Sequence, residues 1–178
     1  MPDPDGRRRK GDRRRRELIG ATLRLVAAGG VAAVSQRAVA AEAGMPPSAV
    51  LYYHPSVDAL LVAALTAVND HYVARLDAVT APADLVALVE DCARRDRAAA
   101  VAEYELFLLV ARRAELRGEQ ARWDAALDAA AARLTGGDAG RRALLVAAVN
   151  GMCLSAAVGS PVDAPALTRL CDPAAGPA

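Results

Sequence analysis

The chain has 178 residues but only four Tyr, one Phe and one Trp, and Ile19 is its single isoleucine. Aromatic residues and isoleucine favour strands, so their scarcity argues against a sheet. Cysteine is sparse as well. Cys92, Cys153 and Cys171 are odd in number, far apart and without metal-ligand spacing, which points to reduced core thiols in a cytoplasmic protein. The N-terminus is charged and carries no apolar core of a secretory signal. The apolar run Ala143–Val158 covers 16 residues and is interrupted by Asn150, Gly151 and Ser155. A membrane span needs about 20 apolar residues, so this run is expected to be a buried helix. Catalytic groupings are missing too. No Ser or Cys has a nearby His, no Gly-rich phosphate loop is present, and His71 has no partner at metal spacing. The expectation is a non-enzymatic protein with no cofactor and no metal.

What is present is helix-forming. The hydrophobic fraction is 54%, dominated by Ala, Leu and Val, and Ala, Leu and Arg are strong helix formers. An all-α protein follows. Its net charge is only +1, yet unevenly spread: residues 1–58 hold ten basic against six acidic residues (+4), and residues 59–178 twelve against fifteen (−3). Eight of the basic residues, Arg7 to Lys10 and Arg13 to Arg16, fall within the first sixteen. Such a pole suits a polyanion partner, or else it is a solubilising tail.

Along the chain, residues 1–11 are rich in Pro, Asp, Gly and Arg and are expected to be a disordered basic tail. A helix is expected from Asp12 to the Gly29-Gly30 stop. Ser35 caps a short helix, Gln36 to Ala43, that ends at Gly44. Pro46-Pro47 opens another, which Pro55 closes. Two short helices joined by a three- or four-residue turn containing Gly make a helix-turn-helix, placed over residues 12–56. Residues 57–172 read as a helical body, with helices over Val57–Val79, Pro82–Arg97, Glu103–Leu116, Glu119–Leu134, Arg141–Val158 and a short one ending near Leu170. The stretch Leu106 to Val110 is apolar on all sides and expected to be central. Residues 173–178 are expected to fray.

The segment "ATLRLVAAGGVAAVSQRAVAAEAGMPPSAVLYYHPSVDALL", Ala21 to Leu61, carries a composite of Gly30, Ser35, Ala43-Gly44, the Tyr52-Tyr53 pair, Pro55-Ser56, Asp58 and Leu60. It resembles the DNA-binding domain of the TetR (tetracycline-repressor-like) family. "EYELFLLVARRAELRG", Glu103 to Gly118, is more loosely similar to the regulatory domain of one subgroup. The resemblance implies that the helix from Pro46 to Tyr53 enters the major groove by its N-terminal end, with Pro47, Ser48 and Ala49 towards the bases. Tyr52 and Tyr53 would hold it on the backbone, one pointing outward and one inward; which is which stays open. Ser35 would cap its helix and donate to phosphate. No Arg, Asn or Gln lies within Pro46–Tyr53, so Gln36 and Arg37 are the nearest polar readers, and Ala49 or Val50 the candidates for a thymine methyl. A flexible arm containing Arg13, Arg14, Arg15 and Arg16 would enter a minor groove. Two positions depart from the family pattern: His54 stands where a core Phe is usual, and Val57 where a phosphate-binding Lys is common.

The resemblance also implies a homodimer that binds a palindromic operator as a repressor and is released by a small apolar effector. The pocket candidates are Asn69, Tyr72, Glu103, Tyr104, Phe107, Trp123, Met152 and Cys153. The interface candidates, on the last long helix, are Leu144, Ala147, Ala148, Gly151, Leu154, Ser155 and Val158. Ala156 and Ala157 add to the small residues that permit close helix approach. The partners expected are duplex DNA, a second copy and an unknown effector, with no membrane. The competing expectation is a helical carrier or scaffold whose basic tail binds nucleic acid or an anionic membrane without sequence preference.

Overall fold

In the computed structural model, described over residues 4–94 and 97–171, every regular element is helical. The side chains of residues 4–7 and 93 are not described. The helices are α1 (Pro4–Gly29), α2 (Gln36–Glu42), α3 (Pro47–Tyr53), α4 (Val57–Asp77), α5 (Pro82–Arg94), α6 (Arg97–Leu108), α7 (Arg117–Leu134), α8 (Ala139–Ala157) and α9 (Ala164–Cys171). The tail expected at 173–178 lies outside the described residues.

Local chemistry sets most of the boundaries. The Ser35 hydroxyl accepts the Ala38 N–H at 3.1 Å, and Ser56 does the same for Ala59 at 3.0 Å. Gly44, at φ 62°, ends α2 in the left-handed conformation, and the Met45 N–H reaches back to the Ala40 carbonyl at 2.9 Å. Pro46 and Pro47 start α3, where a missing N–H costs nothing. Asp84 accepts the backbone N–H groups of Thr80 and Ala81, both at 2.9 Å, and opens α5. Asp138 accepts from the Arg141 backbone at 3.0 Å, so α8 begins at Ala139, two residues earlier than expected.

Three expectations are corrected. From Pro4 onward the basic segment is helical and not a disordered tail: α1 starts at Pro4 and is continuous through Arg16, while residues 1–3 of the expected tail lie outside the described residues. Proline fits the first helical turn, arginine is a good helix former, and the pairs Arg15–Asp12 (3.1 Å) and Arg13–Glu17 (3.6 Å) lie along the helix surface. The helix expected over Glu103–Leu116 runs instead from Arg97 to Leu108. Beyond it come two single 3₁₀ turns, Leu109–Ala111 and Ala114–Leu116, separated by an extended Arg113. Arg113 pairs with Asp58 at the start of α4, and Leu116 is buried in the core. Finally, the Leu106–Val110 stretch is not central throughout. Leu106 is buried, but Leu108 is 67% exposed.

Two hydrophobic cores organise these helices. One gathers Leu18, Val26, Val39, Val50, Leu60, Leu61 and Leu65 with Ala102, Leu106 and Leu116. The other gathers Tyr72, Leu76, Leu85, Val89, Leu127, Leu145, Val149 and Leu167. The division runs through the middle of α4, so the first half of α4, part of α6 and Leu116 complete the N-terminal unit. Burial of these large aliphatic side chains contributes roughly 1.5–3 kcal/mol each.

Candidate DNA-binding surface and cavity

The N-terminal unit presents α3 at its surface. Pro46, Pro47 and Ser48 are exposed, Ala49 is partly covered, and Val50 is fully buried beneath them. Val50 therefore cannot reach a thymine methyl, which corrects that expectation. Burial also separates the two tyrosines. Tyr52 is 80% exposed, whereas Tyr53 is half-buried, with its ring edge-on to Tyr52 at 5.0 Å and the Arg15 guanidinium 5.4 Å above it. That stacking places the basic end of α1 beside α3. Arg13 to Arg16 lie on a helix there and not on a flexible arm. Ser35 and Arg37 are exposed; Gln36 is partly buried, and its amide donates to the His54 carbonyl at 3.3 Å.

His54 sits just behind this surface. It is buried, and its Nε2 has no hydrogen-bond partner. Burial lowers its pKa below 6.5 and the nearby Arg15 charge lowers it further, against a smaller opposing hydrogen bond with the Ala59 backbone. A neutral imidazole thus fills the position.

The second unit contains a cavity of about 430 Å³. Seven of the eight pocket candidates line it: Asn69, Tyr72, Glu103, Tyr104, Phe107, Trp123 and Cys153. Met152 does not; it is partly buried against the core. The sequence reading missed Leu65, Val68, Cys92, Ala100, Leu108, Asn150 and Ala157, and assigned Gly151 and Leu154 only to an interface. Asn150 carried a visible signal, being a polar residue within the apolar run of α8.

Hydrogen bonds hold the cavity walls in place. The Tyr72 hydroxyl donates to Glu103 Oε2 at 2.9 Å, and Trp123 Nε1 donates to Asn150 Oδ1 at 3.1 Å. The amide of Asn69 donates to the carbonyl and to the carboxylate of Glu119 at 2.9 and 3.0 Å. Tyr72 and Trp123 meet edge-to-face at 5.7 Å. The Cys92 thiol contacts Cys153 Sγ at 3.4 Å. That contact, burial and the mutual charge of the pair push the Cys153 pKa far up, while burial first and neighbouring acidic groups second raise that of Tyr104. These groups stay protonated and neutral, so the wall is polar at a few points and otherwise apolar.

On the outer side of α8, Leu144, Ala147, Gly151, Leu154, Ser155 and Val158 form one exposed stripe at helical spacing, flanked by the partly buried Ala148. Ala156 and Ala157 face inward, contrary to the expectation of a role in helix approach between subunits. On α9, Pro165, Thr168 and Arg169 are the exposed residues. No single described helix is long and apolar enough to cross a membrane.

A trihelical unit that exposes one short helix, set on a helical body, defines a helix-turn-helix transcriptional regulator. The known relatives narrow the class. Residues 18–64 match the family "Bacterial regulatory proteins, tetR family", and residues 77–174 match "Tetracyclin repressor-like, C-terminal domain". The multidrug binding protein EbrR, solved with imidazole, is 34% identical; the match covers 88% of this chain and 94% of that one, with a TM-score of 0.72. EbrR solved with ethidium is 33% identical over 88% and 98% of the two chains, also at 0.72. A TetR-family member, SCO1917 from Streptomyces coelicolor, is 33% identical over 88% and 97%, with a TM-score of 0.76. No curated protein matches the chain. The chain belongs to the TetR family of DNA-binding transcriptional regulators, whose members are generally not enzymes.

Proposed function

We propose that this regulator is a homodimeric repressor that binds a palindromic operator and leaves it when a small, largely apolar effector enters the cavity of the second unit. The observation that carries the DNA-binding half is the exposure of α3: Pro47 and Ser48 project from a helix anchored by Val50, with Tyr52 standing free beside them. Ser48 and Ala49 face the bases. Tyr52 and the Ser35 hydroxyl donate to phosphates, the latter while still capping α2. Arg13 to Arg16 and Arg37 supply charge. With so few base-reading side chains, phosphate contacts and DNA shape carry most of the affinity, and binding falls steeply with salt.

The exposed stripe on α8 supports the dimer. Its small members let a twofold copy approach closely, as in four-helix interfaces. Two α3 helices must then sit about 34–36 Å apart to reach successive major grooves. Support for the effector comes from the largely apolar cavity and from EbrR, solved in complex with ethidium.

Selection of bound duplexes from a random pool, followed by sedimentation of the complex, tests this reading. A palindromic site occupied by two copies is the expected result. Binding without sequence preference would instead favour a carrier with a nonspecific basic segment.

A further inference from the structure

We infer that the cavity is a dithiol site for a trivalent arylarsenical, which Cys92 and Cys153 hold together; this rests on the cavity being the effector site. The two cysteines are 61 residues apart in the chain and form no sequence motif, but α5 and α8 bring their Sγ atoms to 3.4 Å. Both line the cavity, and neither is in a disulfide. Two sulfurs in contact can be bridged by a single soft atom, since thiol sulfur prefers soft partners. A structural zinc ion takes four protein ligands, and no group of three His, Cys, Asp or Glu that could hold a metal is present among the described residues. Trivalent arsenic needs fewer. It makes three bonds, so two protein sulfurs and one carbon of its own aryl group complete it.

The rest of the wall suits that aryl group. Tyr72 and Trp123 meet edge-to-face at 5.7 Å, and Tyr104 and Phe107 stand 6.5 Å apart around the same space. Rings in such arrangements receive a further ring edge-on or offset. A volume of about 430 Å³ holds a one-ring arsenical with room to spare, and Leu108, which lines the cavity while 67% exposed, marks where the space meets the surface. The chemistry also suits thiols that resist ionisation. The arsenical arrives as the aryl dihydroxide. Two As–O bonds break, two As–S bonds form, and each thiol proton leaves with a hydroxyl as water. Arsenic stays trivalent throughout, so neither oxidant nor reductant takes part. The product is neutral, and no thiolate has to persist in the apolar wall. That matters because the pairing with Cys92, and burial after it, raise the Cys153 pKa.

Trp123 is the only tryptophan in the chain and lines the cavity, so its fluorescence reports occupancy directly. The test titrates the full chain with phenylarsine oxide, in a phosphine reductant that keeps the thiols reduced, and follows fluorescence and intact mass. Wild-type protein is expected to gain one phenylarsenic group and lose two hydrogens, with Cys92 and Cys153 the residues protected. The adduct is expected to withstand excess mercaptoethanol and to reverse with dimercaptopropanol, a dithiol. Cys92→Ser and Cys153→Ser are each expected to weaken capture about a hundredfold, because attachment through one sulfur loses the chelate. Cys171→Ser is expected to capture as the wild type does. Thermal unfolding checks that the variants fold, and stoichiometry and dithiol reversal in the wild type need no variant. No adduct, an adduct that mercaptoethanol removes, or unchanged capture by folded Cys92→Ser or Cys153→Ser overturns the inference. Release of the selected duplex is read separately. Capture without release keeps the dithiol site and overturns the effector reading. Release by ethidium together with no capture overturns the dithiol site and keeps the cavity as the effector site.

Discussion

The carboxylate of Glu105 accepts a hydrogen bond from the backbone N–H of Val31 at 3.0 Å. Val31 lies in the turn that ends α1, whereas Glu105 lies on α6, two residues beyond Glu103 and one beyond Tyr104 on the cavity wall. Glu105 therefore ties the α1–α2 turn to the same helix that lines the cavity. Gly30 adopts φ 72° there, and a Cβ on it would fall 3.0 Å from Glu105 Oε2. Glu105→Ala is expected to cost roughly 1–3 kcal/mol, since the Val31 N–H loses its partner. Gly30→Ala is expected to cost roughly 1–2 kcal/mol from backbone strain alone. Chemical unfolding measures both. If α6 transmits occupancy, Glu105→Ala also blunts the effect of ligand on DNA release while leaving the Trp123 titration intact.

The two adjacent tyrosines are expected to behave differently on substitution. Tyr52→Ala removes an exposed side chain, so stability is preserved while affinity for the selected duplex falls several-fold across all sequences. Tyr53→Ala removes the ring under Arg15 and beside Tyr52, and is expected to lower stability by roughly 1–2 kcal/mol. Paired unfolding and gel-shift measurements separate the two effects. Equal stability loss in both variants would contradict the assignment.

Stability is expected to decline in mild acid because of His54. Its folded pKa lies below 6.5, so beneath that value the unfolded chain binds a proton that the folded chain refuses. The contribution of the neutral imidazole is complete above the unfolded pKa and is lost as pH falls from about 6.5 through the folded value. His54→Phe, which restores the residue usual in the family, should flatten the thermal midpoint between about pH 5 and 7. An unchanged slope in that variant would assign the acid sensitivity elsewhere.

Cys153 is expected to alkylate slowly. The close pairing with Cys92 and burial both disfavour the Cys153 thiolate, which is the reactive form. Mass spectrometry after iodoacetamide treatment near neutral pH should show labelling more than about tenfold slower than for a free thiol. Because both thiols line the cavity, a bound ligand should slow labelling further.

Leu144→Glu places a charge on the exposed α8 stripe, at a side chain that is 60% exposed in the single chain. A dimer formed through this face is expected to dissociate, by sedimentation, with helix content unchanged. A dimer that survives the substitution uses another surface.

The sequence alone determined the all-helical class, the helix-turn-helix and its caps. These depend on interactions within a few residues: Ser35 with Ala38, Gly44 in a left-handed turn, Pro47 in a first turn. The same local character made the residues of the cavity legible as a set, because polar or aromatic tips stand out on otherwise aliphatic helices. Tertiary structure decided everything that depends on what lies opposite a residue. It separated Tyr52 from Tyr53, since Arg15 comes from a different helix. It buried Val50 and turned Met152 away from the cavity. It also ended α6 at Leu108, where the pull of Asp58 on Arg113 and the burial of Leu116 outweigh helix propensity, a weak preference that packing across the chain overrides.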